Sequence, residues 1–203
     1  MTIRSEPFLW IHLGGIIMFP VMLGITLIGL GVGDRYSYWV ELPLLIAIAV
    51  FPILLMQLYR PFNIFSVLFL SLQPKSLTEN QRKILTLFQR KQQKVVNLLA
   101  TASMLCNLGL LYYFFPGIIG LANLFPQQRI LGLAIASVAF LGSNLFFQIP
   151  LSAFQVLLTN ESDFAQTKQC TPQEIASNFT TPGLKVSTIP WLTTSTVEAK
   201  KTN

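Results

Sequence analysis

The sequence predicts an all-α fold: a four-helix transmembrane bundle with an amphipathic helical loop on the cytoplasmic side and a disordered C-terminal tail. Three observations predict it. Of 203 residues, 52% are apolar and 11% charged, with a mean hydropathy of +0.58. A soluble domain carries about a quarter charged residues, so the solvent for most of this chain must be lipid. The charges are also clustered, leaving four long windows without any, and the composition turns polar after Leu158.

The windows run from Glu6 to Asp34, Glu41 to Arg60, Lys94 to Arg129 and Arg129 to Glu161. A hydrocarbon core of roughly 30 Å needs about 20 apolar residues at 1.5 Å each, so each window holds one helix. The expected spans are 8–29, 42–59, 95–115 and 130–148. Pro20 and Pro52 interrupt two of them, which predicts kinks turned toward protein, where a neighbouring helix satisfies the freed carbonyls. Trp10, Tyr36, Tyr38, Trp39, Tyr59, Tyr112 and Tyr113 lie near span ends, where amphipathic rings prefer the headgroup layer. The first apolar run is longer than that of a signal peptide and no small-x-small site follows it, so it reads as a retained helix.

Orientation follows from the basic residues. Between the second and third spans, Arg60, Lys75, Arg82, Lys83, Arg90, Lys91 and Lys94 face the single acid Glu79, an excess equal to the net charge of +6 of the whole chain. Basic loops stay cytoplasmic, so this loop and, with four spans, both termini are expected inside, leaving Arg35 and Arg129 outside.

Within the loop, Ser76 and Glu79 have capping-box spacing. A helix is expected from Leu77 straight into the third span, with Leu77, Ile84, Phe88 and Val95 on one side and Glu79, Arg82, Lys83, Arg90 and Lys94 on the other. Before it, Phe62 to Leu72 is too short to cross. Its polar Asn63, Ser66 and Gln73, spaced among Phe62, Ile64, Phe65, Leu68 and Phe69, suit a helix lying in the interface. Together these segments form a cationic surface for membrane lipids, each basic residue contributing about 1 kcal/mol at an anionic leaflet, or for a membrane-protein partner. Nucleic acid is disfavoured, since no reader motif or basic and aromatic interleaving occurs.

In the fourth span Gly132, Ala136, Ala139 and Ser143 share a face, so helix backbones can approach closely there, with Ala100, Ser103 and Gly109 of the third span as candidate counterparts. That face serves packing within the bundle or a seam for another subunit. The tail, 159–203, has too few apolar residues to offset its ordering entropy, except that Phe179, Leu184, Val186, Ile189 and Trp191 suit an extended docking segment.

Candidates for chemistry are few. His12 is the only histidine. It suits a hydrogen-bonded interfacial side chain, or less readily an axial ligand to chlorophyll or haem; no other cofactor or metal is expected. Cys106 and Cys170 lie too far apart in character for a disulfide. Gly29, Gly31 and Gly33 follow no strand and mark a helix exit rather than a nucleotide loop. No nucleophile has a base beside it, so no enzyme is expected. No ionisable residue sits at the middle of a span, which disfavours proton-coupled transporters and ion channels.

The N-terminal Ser5-Glu6-Pro7-Phe8-Leu9-Trp10-Ile11-His12-Leu13, the Arg60-Pro61-Phe62 turn with Ile64-Phe65-Ser66, and Leu77-Thr78-Glu79-Asn80-Gln81-Arg82 resemble cyanobacterial proteins described as low-complexity tail membrane proteins. Leu157-Leu158-Thr159-Asn160-Glu161-Ser162 and Phe179-Thr180-Thr181-Pro182-Gly183-Leu184-Lys185-Val186 extend the resemblance to about Trp191. It implies a cyanobacterial membrane, thylakoid or plasma, and no activity. The expected function is a non-catalytic accessory, scaffold or assembly subunit of a larger complex, a photosynthetic one among the candidates, docking through its basic loop and tail. The alternative is a small-solute or lipid carrier, which needs a polar cavity lined by Asn97, Asn107 or Asn144.

Overall fold

A computed structural model describes residues 3–33, 38–67, 69–114 and 128–189. Asp34, Arg35, Tyr36, Leu68, Phe115 and residues 190–203, Trp191 included, lie outside them. The chain is mainly helical, and four helices are long and apolar enough to cross a membrane: Pro7–Gly31, Tyr38–Tyr59, Lys91–Phe114 and Arg129–Leu157.

Two of the spans are irregular where the sequence placed prolines. The first passes through a 3-10 turn at Gly15–Ile17, just before Pro20, and the second through a π-helical turn at Ile46–Val50, just before Pro52. The loss of the proline N–H at each site frees a carbonyl one turn earlier, and the backbone rearranges there. Both proline rings are exposed to the lipid side, contrary to the expectation that the kinks face protein. In the second span the loosened backbone faces protein: Ala49 is buried, and its carbonyl accepts from Asn144 Nδ2 of the fourth span at 3.0 Å.

The small-residue face packs against the first span rather than the third. A Cβ on Gly132 would lie 2.6 Å from the Gly29 carbonyl, and one on Gly29 would lie 2.7 Å from the Ala136 nitrogen. Only glycine allows that approach. Gly109, an expected counterpart, has nothing within 4 Å of where its Cβ would be.

The fourth helix has 29 residues and is about 43 Å long at 1.5 Å per residue, well beyond a hydrocarbon core. It continues through Pro150, past the expected end at Gln148, and its last turns bury Ala153, Val156 and Leu157 in a second core outside the bundle. That core joins Ile3, Phe8 and Leu9 of the N-terminus, Ile64 and Phe65 of the loop, and Phe164, Ile175, Phe179 and Ile189 of the tail. Both ends and the basic loop therefore share one side of the bundle.

Here the expectations need three corrections. Phe62–Leu72 is not an interfacial helix: Asn63 Oδ1 accepts from Phe65 N at 3.0 Å, a local turn that competes with a helix, and strands β1 (Ser66–Val67) and β2 (Leu70–Leu72) pair antiparallel. The loop helix spans Glu79–Phe88 and breaks before the third span begins at Lys91, so Val95 is 55% exposed rather than aligned with Ile84 and Phe88. Its cap is Thr78 with Gln81 rather than Ser76 with Glu79, and the Ser76 hydroxyl donates to the Gln73 carbonyl instead.

The third correction concerns the tail. Residues 159–178, expected to be disordered, form short helices Glu161–Ala165 and Pro172–Asn178, and within the expected docking segment strand β3 (Leu184–Val186) pairs parallel with β2. The described part of the expected docking segment is indeed extended, with Phe179 and Ile189 buried. Phe164, Cys170, Ile175, Phe179 and Ile189 are buried while Leu184 is 72% exposed, and the loop supplies the rest of the core.

Candidate functional site

The loop and the tail meet in a basic, hydrogen-bonded seam. The Arg60 guanidinium donates to the carbonyls of Ala176 and Phe179, both at 3.2 Å, while Thr180 Oγ1 donates back to the Arg60 carbonyl at 2.7 Å. Lys83 Nζ donates to the Ala165 carbonyl at 3.2 Å and stands over the Phe164 ring. Arg90 donates to Thr167 Oγ1 at 2.8 Å, and Arg82 to the Leu77 carbonyl at 3.2 Å. Four of the seven basic residues are thus engaged by backbone or hydroxyl oxygens, whereas Lys75, Lys91 and Lys94 are exposed.

Gly183 sets the register of the tail strand. Its φ is +79°, and a Cβ there would lie 2.1 Å from the Phe69 carbonyl, which accepts from Leu184 N at 2.7 Å. Ser71 Oγ lies 2.6 Å from both Ser66 Oγ and the Pro182 carbonyl. Having one proton, it donates to the carbonyl and accepts from Ser66. Between the Gln73–Lys75 turn and the Pro172–Asn178 helix a groove of about 370 Å³ is left, with Lys75 on the loop wall and Lys185 on the tail wall.

Two glutamates of this region titrate in opposite senses. Burial at the entrance to the first span raises the Glu6 carboxyl above its ordinary range, against a weaker opposing contact from Gln81. Hydrogen bonds from the Thr171 backbone and hydroxyl hold the Glu174 carboxyl below it, as a capping box does.

His12 lies where the first span meets the hairpin. Its Nδ1 is 2.8 Å from the Phe8 carbonyl, and its ring is 5.7 Å from that of Phe62. It lines an apolar crevice of about 400 Å³ with Ile11, Gly15, Phe62, Phe146 and Ile149. The contact with Phe8 engages Nδ1. Among the described residues no three His, Cys, Asp or Glu side chains form a metal-binding group, and Cys106 and Cys170 are free thiols.

The far end holds what the sequence reading missed. Arg129, expected to face outward, is 3% exposed and forms a two-pronged ion pair with Glu41, itself 1% exposed. The same guanidinium donates to the carbonyls of Leu30 at 2.8 Å and Val32 at 3.0 Å, which end the first span. Tyr112 of the third span donates to Glu41 at 3.4 Å, so it points inward rather than into the headgroup layer. Every span contributes a group to this clamp. The signal available in the sequence is the pair of opposite charges, Glu41 and Arg129, at the far ends of the second and fourth spans.

In the middle of the bundle the polar residues bond across helices. Ser152 Oγ donates to Asn97 Oδ1 at 2.9 Å, and Gln148 Nε2 lies 2.7 Å from Asn144 Oδ1 and 3.2 Å from Thr101 Oγ1. Asn107 donates within its own helix. Gly132, Ala136, Ala139 and Ser143 are all buried.

No curated protein and no solved structure matches this sequence. A family described as low-complexity tail membrane protein-like matches residues 5–191, from just before the first span through the folded part of the tail. A match over that length places the chain in the low-complexity tail membrane protein-like family.

Proposed function

We propose that this chain is a non-catalytic accessory or assembly subunit of a larger membrane complex, docking through the composite face made by its basic loop and tail. The observation that carries the reading is the groove with Lys75 from the loop and Lys185 from the tail on its walls. Two exposed cations on an ordered surface suit an acidic segment of a partner, steering it electrostatically. The positive excess of the loop supports a cytoplasmic orientation for this face, and the resemblance to cyanobacterial proteins supports a thylakoid or plasma membrane. The carrier alternative has less support, because Asn97 and Asn144 are engaged in bonds across helices.

The test is co-purification of the full chain with and without Lys75→Glu and Lys185→Glu together, followed by mass spectrometry of co-eluting subunits. The double variant should lose its partner while remaining inserted; retention of the same partner would refute the docking reading. Orientation is checked by thiol labelling in a Cys106→Ser, Cys170→Ser background. A cysteine at Trp39 should label from outside the cell or vesicle and one at Lys75 should not.

A further inference from the structure

Where the second span ends and the third begins, a polar cavity of about 240 Å³ opens on the loop side. Gln57 and Tyr59 come to it from the second span, Gln89 and Lys94 from around the start of the third, and Asn178 from the tail. Among the described residues none of its walls is acidic.

Three features point to an anion. Lys94 is exposed and brings a full positive charge. Gln57 is 3% exposed, and its Nε2 has no hydrogen-bond partner among the described residues. A buried amide donor without an acceptor is costly, and an acceptor oxygen in the cavity removes that cost. The third span begins at Lys91, so the positive end of its helix dipole lies at the same level.

The depth of the cavity identifies the source. It sits between the last residue of one span and the first turn of the next, which is where headgroups lie, and the Tyr59 ring beside it is 76% exposed. An apolar track leads away from it into the membrane: Leu98 is one turn beyond Lys94, Leu55 one turn before Tyr59, and both are exposed.

We propose that this cavity binds the phosphate headgroup of one anionic lipid. Lys94 supplies the charge, Gln57, Gln89 and Asn178 supply amide donors, and the acyl chains lie over Leu55 and Leu98. Because Asn178 belongs to the tail, the bound lipid also fastens the tail to the membrane surface. The site is separate from the Lys75 and Lys185 groove and does not depend on the docking reading.

The test uses the full chain reconstituted in phosphatidylcholine nanodiscs with or without phosphatidylglycerol, then transferred to detergent for native mass spectrometry. The wild-type chain should retain one phosphatidylglycerol. Lys94→Gln and Gln57→Leu should each lower the retained fraction about tenfold, the effect of losing one good hydrogen bond to a charged group. Lys75→Gln should leave it unchanged. If Gln57→Leu does not fold, Lys94→Gln, altered at an exposed side chain, carries the test. Equal retention by wild type and Lys94→Gln, or equal retention of phosphatidylcholine, would overturn the site. Displacement of the lipid by excess inorganic phosphate would overturn the lipid as the source.

Discussion

The two ends of the molecule are held by different physics. At the far end, a buried carboxylate and guanidinium bind each other, the guanidinium also binds two terminal carbonyls of the first span, and every span contributes. At the loop end, an apolar core is closed by cations that bond to neutral oxygens of the tail. An ion pair inside low-dielectric surroundings is strong only while both partners are present, whereas a core with many small contributions loses them gradually. The far end should therefore fail all at once, and the loop end piece by piece.

The largest expected effect is at the clamp. Arg129→Ala removes the guanidinium that neutralises the buried Glu41 carboxylate, which should cost about 3–5 kcal/mol. Thermal unfolding in detergent should show a cooperative loss of the whole bundle, and Glu41→Ala with Arg129→Ala together should be less damaging than the sum of the two. Strict additivity would mean that the pair is not coupled.

At the loop end, Gly183→Ala places a Cβ against the Phe69 carbonyl in a left-handed conformation and should cost about 1–3 kcal/mol. Limited proteolysis should then cut between Thr159 and Ile189 while the four spans remain inserted. Smaller still, Thr171→Ala removes the cap of the Pro172–Asn178 helix, worth about 1 kcal/mol.

These contrasts match what could be read from the sequence. The spans were legible because lipid imposes one rule, a long run without charge, and no packing detail can override it. The small-residue face was legible for the same reason, although its partner helix was not, since Gly29 and Gly109 look alike in sequence. The Glu41–Arg129 clamp joins residues 88 apart, a separation over which charge counting carries no pairing information. Average composition misjudged the tail between Thr159 and Asn178. Phe164, Cys170 and Ile175 are enough to order it because the loop and the fourth helix already present an apolar surface to receive them. The hairpin was misread because Asn63 turns the backbone through its own side chain, a local preference that hydrophobic spacing does not report.

The smallest expected effect is on pH dependence. Glu6, raised by burial, contributes stability that is full below the ordinary carboxylate range and lost as pH rises through its folded pKa. Glu174, lowered by its cap, contributes stability present above that range and lost as pH falls through its folded pKa. Glu6→Gln should therefore stabilise the chain at neutral pH, with the gain shrinking on acidification. Thermal unfolding between about pH 4 and pH 8 measures it, and a gain that grows toward low pH would give Glu6 the opposite sign.

Loop and tail form one folded unit fused to the bundle, and amide hydrogen exchange on the full chain probes that unity. Leu184 N donates to the Phe69 carbonyl and Gln73 N to the Val186 carbonyl, so peptides covering 69–73 and 184–186 should be protected together. They should lose protection together in Gly183→Ala, while the spans stay protected. Exchange of residues 159–189 at the rate of an unstructured chain, with the loop still protected, would contradict it.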